Sequence, residues 1–234
     1  MLQSQLPLWR GMVVHYGVLF PIVNHLDGRP DNIRPAPFYV NQFLALPQHQ
    51  FLSMSAGLFY NDQYGLNVQY QRMNLAGPWT YGLELSRTGF YYYPRGGIYY
   101  GPLNEWMALA NVAYRLRSQD LTVKVTGGQF MHRDRGVRMD MVRQFANVEI
   151  ALYATKTGNG ATLGFNLAVP IPPGKIVQGR YLRLRSTEEF RWEYTYTRGY
   201  KIGERYRLGY QLDERLRQYH RSYLANQMDR LRLK

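Results

Sequence analysis

The 234-residue chain contains no cysteine. Disulfide scaffolds, thiolate zinc sites and cysteine nucleophiles are therefore excluded. It also lacks the run of about eighteen apolar residues that a membrane-crossing helix needs. Acidic residues are few: 16 Asp and Glu stand against 29 Lys and Arg, a formal net charge of +13. Hydrophobic residues make up 45% and charged residues 19%, a balance that argues against a disordered chain. No secretory leader is visible, because Met1 to Pro7 has no basic stretch leading into an apolar core. Two readings stay open from that: a cytosolic chain, or a mature or excised piece whose targeting segment is missing.

What is abundant is aromatic, with 21 Tyr, 10 Phe and 4 Trp. These residues recur with a period of two. Trp106, Ala108, Ala110, Val112 and Tyr114 alternate with Met107, Leu109, Asn111, Ala113 and Arg115. Leu66/Val68/Tyr70, Trp79/Tyr81/Leu83/Leu85, Val137/Met139/Met141 and Phe190/Trp192/Tyr194/Tyr196 repeat the pattern against polar partners. Successive side chains of a strand point to opposite faces, so each stretch predicts a strand with one apolar and one polar face. Turn signals at Asn61-Asp62, Asn74–Pro78, Ser118–Asp120, Arg133–Gly136 and Gly158–Gly160 separate them. No helical pattern intervenes, so neighbouring strands should be antiparallel hairpin partners. The count is about twelve strands.

Alternation alone fits a soluble sandwich, a soluble barrel or a membrane barrel. Aromatics near strand ends (Trp9, Phe38, Tyr39, Phe59, Tyr60, Tyr91–Tyr93, Tyr99, Tyr100, Trp106) favour the membrane, because Tyr and Trp settle at the headgroup level. The expected fold is all-β: an antiparallel up-and-down transmembrane β-barrel of about twelve strands with a short basic C-terminal helix. The domain expectation is a barrel over 1–212 and a basic amphipathic helical tail over 213–234. From Arg198 to Lys234 ten Lys/Arg face four Asp/Glu, with Asp213 as a helix cap and the helix outside the sheet. That tail either closes one end of the barrel or meets anionic lipid headgroups or an acidic partner.

Residues 127–174 carry a more specific pattern. It comprises Gly128, Phe130, Asp134, Gly136 and Val137, then Arg143, Phe145 and Asn147, then Gly160, Gly164 and Phe165, and a strand ending in Pro170 and Pro172. This resembles the YjbH-type (GfcD-like) exopolysaccharide and capsule biosynthesis proteins of Gram-negative bacteria. Residues 21–37 are similar to that family's first long loop, and 55–70 to one of its strand pairs. The resemblance implies an outer-membrane barrel that takes part in making or exporting extracellular polysaccharide. Its members are often longer, with periplasmic parts, so this chain would be a short form or a piece. Many are lipoproteins, and this chain lacks the cysteine for that anchor.

The residues themselves first suggest structural roles. Gly128, Gly136 and Gly160 suit turns or close strand packing, Pro170 and Pro172 end a strand, and Asp134 reads as a turn residue with salt bridges to Arg133 and Arg135. Alternation and motif together nominate Lys124, Arg138, Asp140, Arg143, Arg191 and Glu193 as lumen residues facing a polysaccharide. Arg72 and Glu149 are further candidates whose face a one-residue slip would invert. A net charge of +13 predicts an anionic polymer, held by arginine and by tyrosine rings.

Enzyme chemistry finds little support. The five histidines form no helical zinc pair. Ser53, Ser55 and His49 are the nearest approach to a hydrolase set. Adjacent Glu188 and Glu189 face opposite ways on a strand and cannot share one glycosidic bond. The expectation is a non-catalytic protein without cofactor or metal. Its partners would be outer-membrane lipid, polysaccharide and other export components, with no nucleic acid. The competing reading is a soluble basic sheet that binds single-stranded nucleic acid through runs such as 180–186 and 215–221.

Overall fold

A computed structural model describes residues 2–20, 33–60, 62–93, 97–145, 148–170, 177–179, 183–184, 189–196, 201–205 and 211–232. The alternating stretches are strands: β1 (Leu2–Trp9), β2 (Met12–Leu19), β3 (Arg34–Leu46), β4 (Gln50–Phe59), β5 (Gln63–Met73), β6 (Trp79–Tyr92), β7 (Tyr99–Tyr100) and β8 (Glu105–Leu116). They continue as β9 (Leu121–Gln129), β10 (Arg135–Phe145), β11 (Val148–Thr157), β12 (Gly160–Pro170), β13 (Val177–Gln178), β14 (Arg183–Leu184) and β15 (Glu189–Tyr196). Two helices follow, α1 (Leu212–Arg217) and α2 (Arg221–Arg232).

Twelve strands pair antiparallel in the order β1-β2-β3-β4-β5-β6-β8-β9-β10-β11-β12-β15. Short β7 joins β6 to complete a thirteen-stranded sheet, and β13 pairs separately with β14. The chain is therefore all-β and antiparallel, as its alternation requires. Closure is a different matter. β1 and β15 are the two edges, and among the described residues no pairing joins them. Every residue of β1 is exposed.

The two faces of the sheet are inverted relative to a water-soluble protein. Leu83 is 52% exposed and Leu85 53%, while Glu84 between them is 2% exposed. Asn67, Gln69 and Gln71 are buried, as are Ser86, Thr88, Thr122, Lys124, Thr126 and Asp140. Trp106, Ala108, Ala110, Val112 and Tyr114 all lie on the outer face. Burial of apolar area is the main driving force of folding in water, at about 25 cal/mol per Å². This sheet leaves leucines and tryptophans such as Leu83, Leu85 and Trp106 on its exposed face.

The interior has an apolar seal toward each rim. Tyr39, Phe59, Met107, Leu109, Phe130 and Met131 cluster near the rim that carries the β4–β5, β9–β10 and β11–β12 turns, here the far rim. Met73, Leu212 and Leu216 pack with Phe43, Phe51 and Leu75 at the opposite, near rim.

The C-terminal segment corrects the expectation of a helix outside the sheet. After β15 the chain is found at the far rim, where Met131 N–H donates to the Glu204 carbonyl. It is next found on the buried face as α1, and then at the near rim, where Arg221 N–H donates to the Leu75 carbonyl. Its contacts reach β5, β6, β8, β9, β11 and β15, so the sheet wraps around it. The expected continuous helix is also split, with residues 218–220 separating α1 from α2. The cap of α1 is Gln211 rather than Asp213. Stretches 201–205 and 211–222 are called the strap below.

Candidate functional site

The polar face and the strap enclose a cavity of about 710 Å³. Strand alternation aims its lining side chains inward, and the charges are held in pairs. Lys124 Nζ donates to Asp213 Oδ2 at 2.7 Å. Arg217 forks onto Glu149, with Nη2 to Oε1 at 2.9 Å and Nε to Oε2 at 3.2 Å. Arg191 Nη1 reaches Glu214 Oε2 at 2.5 Å. Arg205 Nε donates to Glu84 Oε2 at 2.7 Å and its Nη2 to Gln211 Oε1 at 2.8 Å. These four strap charges thus meet their complements on four different strands, which compensates ions that would otherwise be costly to bury.

Titration follows from these pairs. Burial alone would raise the Asp213 carboxyl, but Lys124, Arg205 and Arg217 outweigh it and hold it well below the usual carboxylate range. His220 at the near rim is pushed below its ordinary value of 6.5 by burial, which the Gly77 carbonyl only partly offsets. Its Nε2 donates to that carbonyl at 2.9 Å, leaving Nδ1 to accept the Ser222 N–H at 3.3 Å. Ser222 Oγ in turn donates to Asp120, which also accepts Arg115 at 2.7 Å.

The nominated lumen residues divide. Lys124, Arg138, Asp140, Arg191 and Glu193 all line the cavity. Arg138 donates to Asp140 Oδ1 at 2.8 Å, approaches Glu193 at 3.8 Å and lies 3.6 Å from the centre of the Tyr153 ring. Arg143 does not join them. It is exposed on the outer face, its guanidinium 4.5 Å from the Phe145 ring centre. The reason is parity: β10 pairs without a bulge from Gly136 to Phe145, so residue 143 must oppose 138 and 140. Arg72 is likewise outward, while Glu149 is inward.

Among the motif residues, Phe130 is completely buried in the far-rim seal and Phe145 is exposed at the end of β10. Gly128 and Gly136 are cross-strand partners. Gly128 has φ of +140°, and a Cβ there would lie 2.2 Å from the Ala108 carbonyl oxygen, so only glycine fits. Gly160 opens β12, and a Cβ on it would press on Ile202 of the strap at 3.1 Å. Pro170 ends β12. Pro172, Glu188 and most of the basic run 180–186 lie outside the described residues. Asp134 departs from expectation: its carboxylate accepts the backbone N–H of Asn159 at 3.2 Å and of Gly203 at 2.8 Å, rather than from the flanking arginines. It therefore ties the β11–β12 turn to the strap.

Two expectations about ligand binding change. The residues lining the cavity include six cations (Lys124, Arg138, Arg191, Lys201, Arg205 and Arg217) and six carboxylates (Asp62, Asp140, Glu149, Glu193, Glu204 and Glu214), so the excess positive charge is not there. Tyr153 offers no free stacking face. Arg138 covers one side, and a Cβ on Gly164 would come within 2.3 Å of its Cζ, so the ring lies over that glycine. Sequence reasoning missed Glu84, Arg205, Asp213 and Arg217, because pairing across up to 121 residues leaves no local signal. Ser53 and Ser55 both accept from the Asn41 amide, at 2.8 Å each. Among the described residues no group of three or more His, Asp or Glu side chains could hold a metal.

An antiparallel sheet with a charged, strap-filled interior and an apolar exterior defines an inverted β-sheet protein. The sequence model of the exopolysaccharide biosynthesis protein YbjH family matches residues 35–166, more than half of the chain, and the chain belongs to that family. No curated protein and no solved structure matches it. The matched region runs from β3 to β12 and includes Gly128, Phe130, Asp134, Gly136, Phe145 and Gly160.

Proposed function

We propose that the chain is a non-catalytic outer-membrane β-barrel of a Gram-negative bacterium that takes part in exopolysaccharide or capsule production, its interior meeting the sugar polymer. The observation that carries this reading is the inversion of the two faces. A bilayer core gives apolar side chains the surroundings that water denies them, and strands of about 9–11 residues suffice to cross it. Strands β3 to β6 and β8 to β12 have 9–14 residues each. In a bilayer no strand edge can stay unpaired, so the β1 and β15 edges must be covered there, by one another or by added strands.

The interior suits saccharide hydroxyls. Paired carboxylates and guanidiniums present acceptors and donors side by side, and the balanced charge favours an uncharged polymer over the anionic one that net charge suggested. Family membership supports the polysaccharide role. Other export components would be its partners.

The test is direct. The protein should need detergent, run as a faster band before boiling than after, and be required for surface polysaccharide. A chain that stays soluble without detergent and elutes with RNA would establish the nucleic-acid reading instead. That rival has lost one support, because Arg217 in the basic run 215–221 is buried and committed to Glu149.

A further inference from the structure

We infer that the strap is a displaceable occupant of a saccharide site on the polar face, formed by Glu84, Lys124, Glu149 and Arg191. The inference rests on the polysaccharide role proposed above. These four groups come from β6, β9, β11 and β15, and each is engaged by one strap side chain: Arg205, Asp213, Arg217 and Glu214 respectively. A polymer entering the interior meets a chain already lying across its path, with an apolar cluster toward each rim. The strap holds the four wall groups that the polymer's hydroxyls would take.

The chemistry of the four groups defines what can replace the strap. Two are carboxylates and two are cations. A hydroxyl can donate to Glu84 or Glu149 and accept from Lys124 or Arg191, so saccharide hydroxyls can take over the strap's hydrogen bonds while the four wall charges, two of each sign, balance one another. An anionic polymer would add negative charge beside Glu84 and Glu149 and upset a set of wall charges that already balances. The site therefore takes an uncharged, hydroxyl-rich saccharide.

The strap is built to leave. α1 has six residues, far below the length at which an isolated helix holds itself together. Its apolar contribution is Leu212 and Leu216 packed on Met73. The remaining anchors are ion pairs and hydrogen bonds, and sugar hydroxyls can make the hydrogen bonds.

A reversible clamp tests this. A Cβ on Gly203 would lie 3.7 Å from the Thr155 Cβ, within the roughly 3.5–4.5 Å that a disulfide requires. Because the chain has no cysteine, Thr155→Cys/Gly203→Cys provides a single defined pair. The full chain in detergent is titrated with maltohexaose and with a hexagalacturonate, oxidised and reduced, while tryptic cleavage after Arg217 is followed by mass. The reduced protein should bind maltohexaose at least tenfold more tightly than the oxidised clamp, and the sugar should speed cleavage only when the clamp is reduced. Leu216→Ser, which touches none of the four wall groups, should raise both cleavage and maltohexaose affinity. If the clamp variant fails to fold, that single substitution decides. Equal maltohexaose binding with the clamp open or shut, slower cleavage with sugar, or weaker binding in Leu216→Ser overturns displacement. Tighter binding of the galacturonate overturns the ligand class. A protein whose band is heat-modifiable but which binds neither sugar overturns the site and leaves the barrel reading standing. A wild-type band that boiling does not shift overturns the barrel reading instead.

Discussion

Lys124 and Asp213 are 89 residues apart in the chain and 2.7 Å apart in the fold. Both are buried, one on β9 and one on α1, and their pairing brings the C-terminal segment onto the polar face. The interior is thus lined by two parts of the chain with complementary charge.

Breaking that pair from one side leaves an uncompensated buried carboxylate. Lys124→Met should cost about 3 kcal/mol, the lower end of what single removals from buried pairs cost. Lys124→Met/Asp213→Leu should recover most of that loss, because no unpaired charge remains. Urea titration of the unboiled gel band measures both. A double variant no more stable than the single one would show that Asp213 is held chiefly by Arg205 and Arg217.

Acid should loosen the strap in two stages. His220 has a lowered folded-state pKa, so the unfolded segment binds the proton more readily. Its stabilisation is complete above the unfolded value of 6.5 and falls as pH drops below it. Asp213 is also depressed, from an ordinary 3.8, so its contribution is complete above that value and is lost as pH falls further. Hydrogen exchange of residues 211–222, corrected for intrinsic rates, should rise between pH 7.5 and 5.5. His220→Asn should abolish that first rise, and persistence of the rise would assign it to another group.

Arg138 and Arg143 should behave oppositely. Arg138→Ala removes a cavity wall group and uncovers Tyr153, so surface polysaccharide should fall severalfold at normal protein level. Arg143→Leu changes only the outer face and should leave polysaccharide output unchanged, with stability equal or slightly higher. Equal loss in both variants would place the effect in folding rather than in the interior.

Gly164→Ala should destabilise the sheet by about 1–3 kcal/mol, the cost of forcing extra volume into a packed site. The new methyl would meet the Tyr153 ring within 2.3 Å. Pairing it with Tyr153→Ala should relieve the clash, and thermal shift of the heat-modifiable band checks the rescue. No rescue would mean that the nearby Tyr194 carbonyl, 2.5 Å from the same Cβ position, is the harder obstacle.

Period two was enough to establish the strands, their antiparallel order and which residues share a face, because each side chain's direction follows from its place along one strand. Trp106 to Tyr114 and Phe190 to Tyr196 were readable as rows on one face for that reason, although which face is outward came from the folded sheet, and the same rule, applied strictly, separates Arg143 from Arg138 and Asp140. Local pattern also located Asp134 at a turn. It could not show that Asp134 accepts the N–H of Gly203, that Glu84 holds Arg205, or that α1 lies inside the sheet rather than beyond it. Those facts depend on where a segment lands after the whole sheet has formed. A buried charge takes whichever complement the tertiary fold delivers, and sequence separation carries no record of that choice.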